Sequence, residues 1–327
     1  MALTSLDITP VPYQPGRILH ITLLKSYCSL PVSQPVEAIV LQTSSATMSV
    51  VLDLHDRRFG ADLRKDHPHT PEAEAVFQSF IQQNKISHFL EELAETKESE
   101  PVPLSADYYL DPDIPDPDSR AKYETALWQE CQELFACETQ AYSRLQDLQG
   151  ACIPHMYAHI LITPNTPDHV TPPNRYDEVK GVLLEFIPGY TLRPIHNTSA
   201  LLAPPDPQEW QGVVQSAVDT AHEINKRGII MKDCQPRNVM ADSRRSHKPF
   251  IIDLAQCRSK DEMMKFWEDS DNEVEVEEIE YWIQAITADN PGAIGSIMQT
   301  KLPREKGVEI HVKYPDIYKI IDDIKRR

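Results

Sequence analysis

Two aspartates and one asparagine, placed around a short apolar strand, constrain the fold of this 327-residue chain more than any other feature. Asn238 follows Asp233 by five positions, and Asp253 comes directly after the apolar letters FII. Two tightly joined strands would bring these side chains together, as phosphoryl transfer requires. One carboxylate orients an attacking hydroxyl, while an amide oxygen and a second carboxylate hold magnesium against phosphates. The segment therefore predicts a site that handles phosphate.

The charge and the cysteines exclude several classes of protein. The chain has 32 Lys and Arg against 50 Asp and Glu, a net charge of −18, which repels nucleic-acid phosphates and anionic lipids. We therefore expect no nucleic acid and no membrane among its partners. Six cysteines without a CxxC pair, and no apolar signal or membrane-spanning segment, predict a reduced cytoplasmic or nuclear protein. Nothing in the sequence predicts the oligomeric state.

The first part of the chain reads as strands followed by an insertion. Alternating apolar positions within residues 17–59 predict three antiparallel strands. Residues 60–118 are irregular, with a short apolar helix expected around residues 75–93. The run DYYLDPDIPDPDS after it is rich in proline and aspartate, so we expect an exposed loop there.

Residues 119–148 have the clearest helical pattern. Apolar residues recur at steps of three and four, and Gly150 lies just past the end. Glu138 lies on this apolar stripe. Either it lies at the edge and reaches water, or it points into the packed face, where an unpaired carboxylate is costly.

Strands and a second helix are predicted in the rest of the chain. The letters IPHMYAHILI and KGVLLEFI predict two strands, and PGY a turn that leaves the sheet. An acidic run at residues 268–280 is expected to be a solvated helix face. A helix that ends before Gly228 is predicted from one apolar face, made of Trp210, Val213, Val214, Ala217, Val218, Ala221 and Ile224.

The segment between the two aspartates resembles the protein-kinase-like superfamily. MKDCQPRN matches the pattern H-R-D-x-x-x-x-N at Asp233 and Asn238, and DLA at Asp253 stands for D-F-G. The stretch CETQAYSRLQDL is similar to the helix that carries the family's ion-pair glutamate, which corresponds to Glu138. The chain looks closest to divergent fungal protein-kinase-like proteins through VLDLHDRRF and GAIGSIM. It also resembles the aminoglycoside and choline phosphotransferase branch.

This resemblance implies an α+β, bilobal protein-kinase-like fold. The N-lobe, residues 1–184, would hold a small antiparallel sheet, the insertion and the long helix. The C-lobe, residues 185–327, would be mostly helical, with the catalytic loop and an acidic C-terminal segment. The implied cofactors are ATP and Mg²⁺, with Asp233 as catalytic base and Asn238 and Asp253 as metal ligands.

The resemblance gives roles to four further residues. LLEFIPG is similar to the hinge strand of the family, which places Glu185 and Ile187 at the adenine edge. Glu138 would position a cation near the nucleotide. Arg237 would bring positive charge to the transferring phosphate. The acceptor, a small molecule or a protein, is not indicated, because acceptor recognition lies in variable loops.

The departures from the family pattern leave two functions open. Asp53 stands where the strand lysine would pair with Glu138, and residues 18–49 contain no glycine to cradle phosphates. Lys25, at the end of the first strand, is a candidate replacement cation. The first hypothesis, implied by the resemblance, is a phosphotransferase that uses Mg-ATP and has a degenerate nucleotide-gripping lobe. The alternative is a weak or inactive pseudokinase that binds nucleotide or a protein as a scaffold.

Two other motifs are interpreted as structural. DRRF, at residues 56–59, is expected to end a strand with a local ion pair and one buried aromatic ring. His67 and His69 flank Pro68, and two histidines do not close a metal site, so we expect a solvated turn.

Overall fold

The protein is a mixed α+β structure with small antiparallel sheets and a mostly helical part. The computed structural model describes residues 20–26, 37–42, 47–59, 61–64, 67–99, 105–111, 113, 116–162, 174–193, 206–265 and 274–326. Unit 1 comprises Met1–Ala136 and Tyr157–Leu184, and unit 2 comprises Cys137–Met156 and Glu185–Arg327. The assignment of N-lobe and C-lobe at residues 184 and 185 stays a prediction.

Unit 1 contains a five-stranded sheet made of β1 His20–Ser26, β2 Glu37–Gln42, β3 Thr47–His55, β4 Met156–Ile162 and β5 Val179–Glu185. The order of the strands in the sheet is β1-β2-β3-β5-β4. β1 pairs antiparallel with β2 and β2 with β3, as the alternation of apolar residues predicts. Lys25 pairs with Ala38, but its side chain lies outside the described part of the protein.

Two helices, not one, follow the short helix α1 (Ala61–Arg64). α2 spans Pro71–Gln82 and α3 spans Lys85–Ser99, so the single helix expected around residues 75–93 is wrong. Asn84 adopts a left-handed conformation, φ 57°, which a continuous helix excludes and which asparagine tolerates better than most residues.

The proline- and aspartate-rich run is only partly an exposed loop. A 3₁₀ helix, Ala106–Leu110, begins it and packs against the apolar core of unit 1. Tyr109 and Leu110 are partly buried there. The buried members of this core include Phe77, Phe80, Ile86, Phe89, Tyr123 and Leu127.

Unit 2 is mostly helical. It begins with the end of α4 (Ser119–Arg144), and the helix expected over residues 119–148 finishes as a 3₁₀ turn, Gln146–Leu148. The remaining elements are β6 Gly189–Thr191, α5 Pro207–Lys226, β7 Ile229–Met231, a 3₁₀ turn Pro236–Asn238, β8 Val239–Asp242, β9 Lys248–Ile251, β10 Cys257–Ser259, α6 Lys260–Lys265, α7 Val274–Ala288, α8 Asn290–Lys306 and α9 Ile317–Ile324.

Two small sheets of unit 2 position the candidate site. β7 pairs with β10, and β8 lies between β6 and β9. The residues Pro188, Gly189 and Tyr190 leave the five-stranded sheet, as their sequence predicts, but Gly189 and Tyr190 form β6 rather than a turn, and Tyr190 lies opposite Ala241 of β8. At Gly189 a Cβ atom would lie 1.8 Å from the Ala241 carbonyl oxygen, so this close pairing needs glycine.

The apolar stripe of α5 forms the core of unit 2, as the periodicity predicts. All seven residues of the stripe are buried, and α5 packs against α8 and β9. Gly228, at φ 75°, ends the helix region. The acidic run lies partly outside the described residues, and its described part begins α7. None of the described helices is long and apolar enough to cross a membrane.

Candidate functional site

Asp233 is held by two neighbouring side chains. Asn238 Nδ2 donates to the Asp233 carbonyl oxygen (2.9 Å) and to Asp233 Oδ2 (2.9 Å). Arg237 Nη2 donates to both carboxylate oxygens of Asp233, at 2.9 and 2.8 Å. The Asp233 side chain is 12 % exposed, so it is oriented by its partners and still reaches solvent. A positioned carboxylate of this kind is suited to accept a proton from a hydroxyl group.

The hairpin of β8 and β9 joins this loop to Asp253. Val239 lies opposite Ile251, and the Ile252 N–H donates to the Asn238 carbonyl oxygen (2.9 Å). Asn238 and Asp253 therefore leave the same end of the hairpin, as their spacing predicts. Asp253 has φ 63°, a left-handed conformation that is uncommon for residues other than glycine, although aspartate tolerates it better than most. Backbone strain of this kind clusters at functional sites.

Glu138 also belongs to unit 2, where its carboxyl group lies close enough to Asp253 to be affected by that residue's charge. It is fully buried, so of the two alternatives for this residue the structure has the one in which it points into the packed face. Burial and, to a smaller extent, the negative charge of Asp253 together raise the pKa of Glu138 to about 8. Such a carboxyl group favours a bound proton or a nearby cation.

A pair of buried asparagines anchors the chain just before Asp233. Asn290 Nδ2 donates to the Met231 carbonyl oxygen (2.7 Å), and Asn290 Oδ1 accepts from the Met231 N–H (3.0 Å). Asn225 Nδ2 also donates to Asn290 Oδ1 (2.8 Å). Sequence reasoning missed this clamp, because Asn290 lies 59 positions from Met231. The only signal is Asp289 and Pro291 around it, which are typical of a helix start.

The Glu185 side chain forms hydrogen bonds with other residues of unit 2. Its Oε1 accepts from Arg245 Nη2 (2.9 Å), and its Oε2 accepts from the His155 N–H (3.2 Å). Its own N–H donates to the His155 carbonyl oxygen (2.8 Å). Ile187 is buried. Adenine binding by Glu185 and Ile187 stays a prediction.

Lys25 and Asp53 belong to unit 1. Asp53 lies partly buried on β3, and Lys25 lies on β1 with its side chain outside the described residues. The pairing of Lys25 with Glu138 therefore also stays a prediction.

The DRRF motif differs from its interpretation. Asp56 and Arg58 form the expected ion pair (2.6 Å), but Phe59 is 61 % exposed and the expected buried ring is wrong. Arg57 is buried instead, and its Nη1 donates to Glu124 Oε2 (2.7 Å). The turn with the two histidines is not simply solvated either, because His69 Nε2 lies 2.9 Å from a Glu74 carboxylate oxygen.

A magnesium ion could use the residues at the end of the hairpin. Among the described residues, no group of three or more His, Cys, Asp or Glu side chains is placed to hold a metal ion. Magnesium bound with nucleotide usually has one or two protein ligands and completes its shell with phosphate oxygens and water. Asn238 Oδ1 and the Asp253 carboxylate fit this donor set, since Asn238 uses its Nδ2 toward Asp233.

A comparison with models of known protein families finds no match to the chain, and a comparison with curated proteins finds none either. The residues of unit 2 and their geometry therefore carry the functional proposal.

Proposed function

We propose that this chain is a phosphotransferase that uses Mg-ATP and has a bilobal protein-kinase-like fold. The hydrogen-bonded convergence of Asp233 and Asn238 at the end of the hairpin from which Asp253 emerges carries the proposal. The resemblance of the same segment to the catalytic loop of divergent fungal protein-kinase-like proteins supports it. The acceptor is a hydroxyl group on a small molecule or a protein.

Each side chain of the site has a role in this reaction. Asp233 accepts the proton of the acceptor hydroxyl, in an orientation fixed by Asn238 and Arg237. Asn238 and Asp253 bind magnesium, which when present neutralises charge on the phosphates. Arg237 Nε is buried and has no hydrogen-bond partner in the described part of the protein, so the guanidinium group would have to move for this N–H to reach a phosphate oxygen. Glu138 would position a cation in its ionised form, and because its pKa is raised to about 8, the cation would have to displace a bound proton.

Two observations favour a second candidate, a pseudokinase that binds nucleotide or a protein partner without turnover. Asp53 lies on β3, and the resemblance aligns it with the strand lysine of the family. In addition, both carboxylate oxygens of Asp233 already accept hydrogen bonds from Arg237. A base held in this way transfers protons slowly unless Arg237 moves toward phosphate.

Thermal unfolding with Mg-ATP tests the site. A ligand at 100 times its dissociation constant should stabilise the wild-type protein by about 2.7 kcal/mol. Asp253→Asn should lose the magnesium-dependent part of this stabilisation, because a metal ligand is lost. Asp322→Asn, an exposed change on α9, is the matched control and should behave like wild type. An unchanged melting temperature of wild type with Mg-ATP would contradict nucleotide binding.

If Mg-ATP binds, phosphate release separates the two candidates. Asp233→Ala should slow release roughly 100-fold or more, because a positioned base contributes about 10²–10⁴ in rate. Asp322→Asn should leave the rate unchanged. Binding without turnover in the wild-type protein would support the pseudokinase.

A further inference from the structure

Two cysteines from distant parts of the sequence meet inside unit 2. Cys137 lies on α4, and Cys257 begins β10. The Cys137 sulfur accepts a hydrogen bond from the Cys257 N–H (3.1 Å) and lies 3.0 Å from the Cys257 carbonyl oxygen. It therefore contacts the Cys257 backbone on both sides of the Cα atom. The two residues are therefore in direct contact, and a disulfide requires the Cys257 side chain to turn so that its sulfur reaches the Cys137 sulfur.

We propose that Cys137 and Cys257 form a reversible disulfide bond in response to a low-molecular-weight disulfide such as glutathione disulfide. The Cys137 thiolate attacks one sulfur of the oxidant, which gives a mixed disulfide and releases one glutathione thiol. The Cys257 thiolate then attacks the Cys137 sulfur, forms the intramolecular bond and releases the second thiol. The protein loses two electrons and two protons, and glutathione disulfide gains them as two thiols.

The order of the two steps follows from exposure and local charge. Cys137 is partly exposed and Cys257 is buried, so a dissolved oxidant reaches Cys137 first. Burial and the negative charges of Glu262 and Glu138 raise the pKa of the Cys137 thiol. The Cys257 N–H and the Lys232 ammonium group offset only part of this increase in pKa. Burial also raises the pKa of Cys257. We therefore expect the bond to form over minutes to hours without a catalyst, the usual range for uncatalysed disulfide exchange.

The position of the bond gives it a consequence for the candidate site. Cys137 directly precedes Glu138, and Cys257 follows Asp253 by four positions. The disulfide would tie α4 beside one carboxylate to the strand that follows the other. Disulfides in reducing compartments are usually transient and act in catalysis or redox sensing. Formation of the bond does not depend on ATP binding or on turnover.

Peptide mapping of the full-length protein tests the proposal. The reduced protein is incubated with excess glutathione disulfide, blocked with N-ethylmaleimide, digested without reductant and analysed by mass spectrometry. We expect one linked peptide pair that contains Cys137 and Cys257 and is two hydrogen atoms lighter than the reduced peptides. Dithiothreitol should abolish the pair. The oxidised protein should melt several degrees higher, because the cross-link restricts the unfolded chain.

Two variants sharpen the result. Cys257→Ser should trap Cys137 as its mixed disulfide with glutathione, and Cys152→Ser, a partly buried cysteine elsewhere in unit 2, should leave the linked pair intact. The wild-type map decides by itself if Cys257→Ser fails to fold. Maleimide on both Cys137 and Cys257 after oxidation, or a link from either to another cysteine, would overturn the proposal.

Discussion

Asn238 makes hydrogen bonds both to Asp233 and to the backbone next to Asp253, and so connects the two aspartates of the candidate site. Its Nδ2 donates to Asp233, and its carbonyl oxygen accepts the N–H of Ile252, the residue before Asp253. This contact was predictable because the residues lie close in sequence around one hairpin. The burial of Glu138 could not be predicted from its position on the apolar stripe, because it depends on which parts of the chain pack against that helix.

The asparagine clamp gives a test at the same scale. Asn290→Ala removes the side-chain partner of the Met231 N–H and carbonyl oxygen in a buried region. One buried polar group left without a partner costs about 1–3 kcal/mol, so we expect urea unfolding to show a loss at least in this range. Arg304→Ala, an exposed change on the same helix, should stay within about 0.5 kcal/mol of wild type. Equal unfolding midpoints for Asn290→Ala and wild type would contradict the role of the clamp.

Elements were predictable where the pattern is local and periodic. The alternation of β3 and the apolar stripe of α5 depend on neighbours within a few residues, and both predictions are confirmed. The break at Asn84 depends on one backbone dihedral angle, and a helical pattern of apolar residues on both sides hid it. The exposure of Phe59 depends on Arg57, which takes the buried position through partners far along the chain.

Those partners form an ion network inside unit 1. Glu124 is fully buried, and its carboxylate accepts hydrogen bonds from Arg57 Nη1 (2.7 Å) and from Arg64 Nη1 (3.1 Å). Arg64 Nε also donates to the Arg57 carbonyl oxygen (2.6 Å). The network joins the start of α4 to the loop after β3 and to α1. The two buried guanidinium groups share this buried carboxylate, and Arg57 also pairs with the partly exposed Glu74.

Glu124→Ala should therefore destabilise unit 1 strongly. The change leaves two buried arginines without their shared carboxylate, and breaking a buried ion pair typically costs about 3–5 kcal/mol. Denaturant unfolding measures the loss. Glu133→Ala, an exposed change on the same helix, should stay within about 0.5 kcal/mol of wild type. A loss of similar size in both variants would show that the network contributes little.

At the scale of the whole molecule, the net charge of −18 is predictable from composition, but the pH dependence of stability depends on a few charged groups that are partly or fully buried. Glu74 in unit 1 is one of them. Burial opposes ionisation, but the Gln78 hydrogen bond and the Arg57 charge outweigh it and lower the pKa of Glu74 to about 2. Its contribution to stability is present above about pH 4.5 and is lost as the pH falls toward 2.

Glu138 in unit 2 has the opposite pH dependence. Burial and Asp253 raise its pKa to about 8 from the ordinary value of 4.5, so between these values the folded state binds a proton that the unfolded chain has released. The stability that Glu138 contributes is full below pH 4.5 and is lost as the pH rises through 8. From pH 6 to pH 8 the loss of unfolding free energy from this one group is about 2 kcal/mol.

Glu138→Gln cannot ionise, so it should remove this part of the pH dependence of stability. The measurement is the urea unfolding midpoint at pH 6 and at pH 8. Glu133→Gln, exposed on the same helix, should keep the wild-type slope, and a Glu138→Gln slope equal to wild type would show that Glu138 is ionised throughout.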